Sequence, residues 1–236
     1  MKTRRRLEAA ARKQEILGSS LRVFARLGFD GATSKELAKA AGVSEALLYK
    51  YFPTKEAMYQ DLASLLGSNK ERLIGRLTQG TPSAESFVRT FYCLARLILE
   101  GPPAGLKDDS IDRLMGQSLL GDGAFAEAIL ESLFVPMVPY LAAGLETAHR
   151  SGDIECDLPS AERLCYLIHH FFGAIALFSL PKRRLLPYDD RDLMLREVLT
   201  FALRGAGFSE AALGAHLDFA RLERAFTQLF QETQTS

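Results

Sequence analysis

The stretch GATSKELAKAAGVSEALLYKYFPTKEAM, residues 31–58, decides how this chain is read. Thr33 and Glu36 stand three apart just ahead of Leu37 and Ala38, the spacing of a capping box. In that device the hydroxyl accepts from a first-turn amide while the carboxylate reaches back to the cap. The helix so opened is about two turns long, turns Leu37, Ala38 and Ala41 inward, and ends at Gly42. Val43 is an apolar plug in the following turn. Ser44 is a good cap for a third short helix over 45–52, which Pro53 stops. Thr54 then opens a longer helix, expected over 55–77. Two short helices joined by a glycine turn, with Ala38, Ala41 and Gly42 small enough for a close crossing, give the layout of a helix-turn-helix. A generic helical bundle with a glycine turn would share that bare pattern.

Upstream, EAAARKQEILGSSLRVFARLG (8–28) places Ile16, Leu17, Leu21, Phe24 and Leu27 on one helical face, with Gly28 as its expected stop. Ahead of it Lys2, Arg4, Arg5 and Arg6 form a basic arm, expected to lack structure in the absence of DNA. Such an arm either reaches a neighbouring groove or stays a solvated tail.

Charge separates this part of the chain from the rest. Of 29 Lys+Arg and 29 Asp+Glu, residues 1–58 hold 12 and 6, and residues 59–236 hold 17 and 23. A basic quarter on an acidic remainder suits a polyanion partner for the first part only. The three cysteines, Cys93, Cys156 and Cys165, are odd in number and widely spaced, as reduced cytosolic thiols are. The start, MKTRRRLEAAARK, has no apolar core of a signal sequence, and no long unbroken apolar run occurs after it. Neither secretion nor membrane spanning is expected, and the location implied is cytoplasmic.

Residues 31–58 closely resemble the DNA-binding signature of the TetR family of transcriptional regulators. The correspondence runs from about residue 8 to 62 and rests on Gly28-Phe29, Thr33, Leu37-Ala38, Ala41-Gly42-Val43-Ser44, Leu48-Tyr49, Tyr51-Phe52 and Lys55-Glu56. It implies an all-α chain: a three-helix helix-turn-helix DNA-binding domain over 1–55, then a helical bundle over 56–236 for effector binding and dimerisation. The implied partners are double-stranded DNA, a small-molecule effector and a second copy of the chain; no cofactor, metal or membrane partner is expected from the sequence.

In that reading helix 45–52 lies in the major groove with its N-terminal end toward the bases. Lys35, Lys50 and Lys55 are cations for phosphates, and the resemblance favours Lys55, where a helix N-terminus adds free amides. Thr33 and Ser44 cap their helices and, in related proteins, also lie against the backbone. Tyr49 and Tyr51 match aromatic positions used on phosphates or base edges. Glu45 and Leu47 sit where the family varies, and Ala46 between them is a further contact candidate. Glu45 can accept from a cytosine amino group or repel phosphate, and Leu47 offers apolar contact alone. Lys39 reads better as a solvated charge, and Leu48 and Phe52 as core.

Beyond residue 80 the pattern stays helical, with expected helices at 83–100, 110–120, 123–150 (kinked by Pro136 and Pro139), 158–180, 190–204 and 209–230. Helix 158–180 is apolar nearly all round, so it must be covered on every side. One side suits the interior and another a second chain, and Leu213, Leu217, Leu222, Phe226, Leu229 and Phe230 give the last helix an apolar face for the same dimer. Effector-pocket candidates are Phe91, Tyr92, Met115, Met137, Tyr140, His169 and Phe172, all equally compatible with plain core packing. His169-His170 completes no metal-ligand spacing.

The function these readings favour is a ligand-responsive dimeric repressor. A helical enzyme or small-molecule carrier is the alternative from another class. It lacks a P-loop, GxSxG or HExxH pattern and leaves the charge split unexplained. An activator or a ligand-free regulator would carry the same sequence features.

Overall fold

The computed structural model describes residues 2–66, 70–101, 109–157, 160–180 and 190–231. Among them the regular structure is helical: α1 (Lys2–Gly31), α2 (Ser34–Ala40), α3 (Glu45–Tyr51), α4 (Lys55–Leu66), α5 (Lys70–Leu77), α6 (Ala84–Leu99), α7 (Ser110–Leu120), α8 (Ala124–Ile129), α9 (Val138–Ser151), α10 (Ala161–Phe178), α11 (Arg191–Gly205), α12 (Glu210–His216) and α13 (Phe219–Gln231). A single isolated bridge, Ile154 with Phe208, is the β-type pairing present among the described residues.

The chain folds as two compact units. The first joins Met1–Lys70 to Asp109–Phe134, so α7 and α8 pack with α1 and α4. Its core is Ile16, Leu17, Phe24, Leu37, Leu48, Phe52, Met58, Leu62, Leu114 and Phe125. Rings dominate its centre: Tyr59 meets Phe24 edge-on at 5.2 Å and Phe29 at 4.9 Å. Such edge contacts set the electropositive ring rim against a π face.

The second unit comprises Glu71–Asp108 and Val135–Ser236 and is built around α6, which packs against α9, α10, α11, α12 and α13. Phe87, Val88, Phe91 and Ala95 on α6 are fully buried. Gly144 lets α9 approach α6 closely, since a Cβ there would stand 3.2 Å from both Phe87 Cβ and the Ser83 carbonyl. α13 is held to α6 by polar contacts: Tyr92 Oη donates to Glu223 at 2.7 Å, and Arg96 pairs with both Glu223 and Glu100. The Arg96 guanidinium also stands 4.8 Å from the Phe226 ring.

Several sequence expectations need correction. The basic arm is not an unstructured tail, because α1 already includes Lys2. Gly28 does break the helix, with φ 74° and ψ 176°, and a short helical stretch follows it to Gly31. Of the helix expected at 55–77, Lys55–Leu66 and Lys70–Leu77 are helical, and residues 67–69 lie outside the described set. Stretch 123–150 is irregular at Leu130–Phe134, a π-helical turn, and at Val135–Met137, a 3₁₀ turn. Pro136 accounts for this, since its ring displaces the residue-132 carbonyl and it has no N–H to donate. By length and composition Ala124–Ser151 is apolar enough to cross a membrane, but Phe134, Met137, Leu141 and Leu145 within it are spent on the fold's own core.

The last expected helix is two. Leu217 leaves helical geometry at φ −91° and ψ 45°, and Asp218 Oδ1 accepts from the Arg221 amide to open α13. Its apolar face is partly taken up within the chain: Leu213, Leu222 and Phe226 are buried where α12 and α13 pack on α6, and Leu217, Leu229 and Phe230 stay half-buried. Helix 158–180 shortens to α10 and keeps an uncovered face: Leu167 is 63% and Phe178 67% exposed.

Candidate nucleic-acid interface

The helix-turn-helix is set by local chemistry. Thr33 Oγ1 accepts from the Glu36 amide at 3.3 Å, and Glu36 Oε2 accepts from the Thr33 amide at 3.2 Å and from its hydroxyl at 2.9 Å. These bonds from Thr33, to backbone and side chain, hold the Glu36 carboxyl below its ordinary pKa. The turn needs glycine: Gly42 has φ 63°, and the Val43 amide closes back onto the Ala38 carbonyl at 3.0 Å. Ser44 Oγ accepts from the Leu47 amide at 3.2 Å and opens α3. Leu48 and Phe52 point inward and are buried, as expected from their spacing.

That leaves one face of α3 open. Glu45, Ala46, Tyr49 and Lys50, at positions i, i+1, i+4 and i+5, are all exposed. Lys35 and Ser44 are exposed beside them, as is Thr33, while Tyr51 is half-buried with its ring 6.5 Å from Phe52. The structure thus brings eight of the nine expected DNA-contact residues onto α2, α3 and their caps. The ninth, Lys55, begins α4.

Two of these side chains have partners that the sequence reading missed. Tyr49 Oη lies 2.6 Å from Ser34 Oγ, tying the open face of α3 to the first turn of α2. Thr33 is occupied by its own capping box, which leaves Ser34 as the hydroxyl available to the tyrosine. Lys55 is half-buried, and its Nζ donates to the Phe29 carbonyl at 2.8 Å while standing 4.3 Å from the Phe29 ring centroid. An ammonium has three donors, so this bond fixes the lysine on α1 and leaves two. Lys13 similarly reaches Asp61 at 2.6 Å across α1 and α4.

The effector-pocket candidates divide. Met115 lies in the first unit, packed against the helix-turn-helix core, and the other six lie in the second. Phe91 and Phe172 are buried with ring centroids 6.1 Å apart. Tyr140 Oη donates to the Gln79 carbonyl at 2.9 Å, and Met137 is buried. Burial, and secondarily His170, pushes the His169 pKa down to about 4. A surface groove of about 520 Å³ in the second unit is lined by Pro139, Ala142, Ala143, Glu146, Ser160, Ala161 and Glu162, none of which is a candidate. Burial raises the thiols of Cys93 and Cys165 to about 12, far from thiolate chemistry at neutral pH.

Residues 16–62 match the model of the bacterial regulatory proteins of the tetR family. The chain is 44% identical over 50 residues to the HTH-type transcriptional regulator RutR of Escherichia coli K12, covering 21% of this chain and 24% of that protein. In that match it spans about a quarter of the relative's length. Over 179 residues it is 21% identical to the HTH-type transcriptional regulator UidR of the same organism, covering 72% of this chain and 82% of that protein. Among solved structures, the transcriptional regulator FadR from Bacillus subtilis in complex with stearoyl-CoA superposes with a TM-score of 0.60 at 17% identity, over 81% of this chain and 98% of that one.

Proposed function

We propose that the chain, whose residues 16–62 match the tetR-family model, is a dimeric, cytoplasmic repressor released from a palindromic operator by a small apolar or amphipathic effector. DNA contact is assigned to residues 1–55, and effector binding and dimerisation to 56–236. The observation that carries the reading is the open face of α3, where Glu45, Ala46, Tyr49 and Lys50 are presented to solvent by a helix whose other face is locked to the core. Lys35 and Lys50 supply cations for phosphate, Thr33 and Ser44 supply polar groups beside the caps, and Tyr51 and Lys55 lie at the edge. No catalytic step is assigned to the chain.

Dimerisation is supported by the uncovered apolar surface of the second unit. Leu167 and Phe178 on α10, with Leu193 and Phe201 on α11, are large side chains left exposed. Phe171 and Phe201 pack at 5.4 Å and join the two helices into one surface. A two-fold pairing of such helices would set two reading heads at a fixed spacing, as a palindrome requires. The effector is assigned to the interior of the second unit near Phe91, Tyr92, Met137, Tyr140, His169 and Phe172. Phe91, Tyr92, Met137 and Phe172 are buried among packed neighbours, so effector entry opens that interior. Unequal affinity for the packed and opened states then couples ligand to DNA.

The test is selection of duplexes from a random-sequence pool by the purified protein, repeated with an extract of bacterial small molecules. An enriched palindrome lost in the presence of extract supports the reading. No enrichment at all refutes it, and enrichment indifferent to the extract removes the effector.

A further inference from the structure

We infer that Gln117, on α7, is a positioning residue for DNA binding: its side-chain amide holds the break in α1 from which the chain turns into α2. The inference rests on the DNA-binding function proposed for this chain. With φ 74° and ψ 176° at Gly28, the Phe29 amide leaves the helical path that would carry it to the Ala25 carbonyl. A carbonyl released in this way needs another donor when water is kept out. Gln117 Nε2 supplies it, donating to Ala25 O at 3.2 Å. Chemistry fixes the amide's orientation, because its oxygen against a carbonyl would set two acceptors face to face.

The other half of the amide is equally informative. Gln117 Oε1 is buried with no hydrogen-bond partner among the described residues. The side chain is therefore placed for its donor, at the expense of its acceptor. On the far side of the break, Lys55 closes the Phe29 carbonyl at 2.8 Å. The two carbonyls flanking Gly28 are thus each held by a side chain from a different helix, α7 and α4. Glycine serves here for its φ and not for space, since a Cβ at Gly28 would meet Gln117 Oε1 at an ordinary 3.7 Å.

Beyond the break lies the reading head. The Ala32 amide returns to the Gly28 carbonyl at 3.3 Å, and Thr33 then caps α2. The direction of α2, and of α3 packed upon it, is set by the geometry at Gly28. Gln117 is half-buried on α7, outside α2 and α3, and acts through the Ala25 carbonyl.

The test compares Gln117→Met, which keeps length and removes the donor, with Gln117→Glu, which keeps shape and places oxygen against the carbonyl. Each is measured for thermal unfolding, hydrogen exchange at the Ala32 amide, and affinity for the duplex selected by the wild-type protein. The expected result for Gln117→Met is a chain still fully folded at the assay temperature, faster Ala32 exchange, and a loss of about tenfold in affinity with an unchanged salt slope. Gln117→Glu is expected to lose at least as much affinity. A space-filling role predicts the opposite order, with the isosteric glutamate at wild-type affinity, and that order overturns the inference. If the wild-type protein selects no duplex, the DNA-binding reading fails. Ala32 exchange then decides separately whether Gln117 holds the break, and unchanged exchange in Gln117→Met overturns it.

Discussion

The hydroxyls of Tyr49 and Ser34 lie 2.6 Å apart, joining the open face of α3 to the first turn of α2. In a helix-turn-helix the two helices must keep one crossing angle if the second is to enter the groove. This bond is a brace on that angle, set on the side that would face DNA.

Removing either hydroxyl removes the brace. Tyr49→Phe and Ser34→Ala should each weaken binding to the selected duplex by about three- to tenfold, the range of one hydrogen bond. The double variant should be little worse than either single one, because both lose the same bond. Fluorescence anisotropy on a labelled duplex measures this. Fully additive losses would mean that each hydroxyl contacts DNA independently.

Lys50 and Lys55 should behave differently despite their equal charge. Lys50 is exposed, so Lys50→Ala should lower the slope of log affinity against log salt by about one while leaving stability unchanged. Lys55→Met removes the donor to the Phe29 carbonyl and the cation from its ring. It should cost about 1 kcal/mol of folding stability, as the loss of a part-buried hydrogen bond does. Urea unfolding and salt titration of the two variants separate these outcomes.

His169 gives the second unit a defined acid response. Its pKa is pushed down to about 4, chiefly by burial, whereas in the unfolded chain it takes the ordinary value of about 6.5. Between those values the unfolded state binds the extra proton, so stability present above about 6.5 is lost as pH falls toward 4. Urea midpoints at pH 7 and pH 5 should therefore differ less in His169→Phe than in wild type. A nuclear magnetic resonance titration placing His169 near its ordinary value would contradict this.

Phe201 is 67% exposed on α11. Phe201→Glu should leave the fold of one chain intact and lower the mass in solution from two chains to one, as read by sedimentation equilibrium. A monomeric wild-type protein, or a variant that stays dimeric, would move the interface elsewhere.

The legible parts of this molecule are those whose chemistry is local in sequence. Thr33 with Glu36, Ser44 with Leu47 and the Gly42 turn each act within five residues, and the structure forms them as the sequence implies. The partners that fix the reading head are not local. Tyr49 meets Ser34 across 15 residues, Lys55 meets Phe29 across 26, and Gln117 meets Ala25 across 92. No periodicity encodes such pairs. The break at Leu217 was hidden for another reason: the apolar spacing continues through it, and Asp218 as a cap is the one local sign. Met115 looked like its apolar neighbours in type, but the packing of α7 on α1 carries it to the first unit.

The central claim is that the open face of α3 reads DNA bases. It is tested most directly by repeating the selection from random duplexes with Glu45→Gln in place of the wild-type chain. Glu45 opens α3 and is exposed, and a carboxylate and an amide prefer different base edges. The predicted result is a palindrome whose consensus changes at the same position in both half-sites and nowhere else. An identical consensus from the two proteins, or no consensus from either, would contradict it.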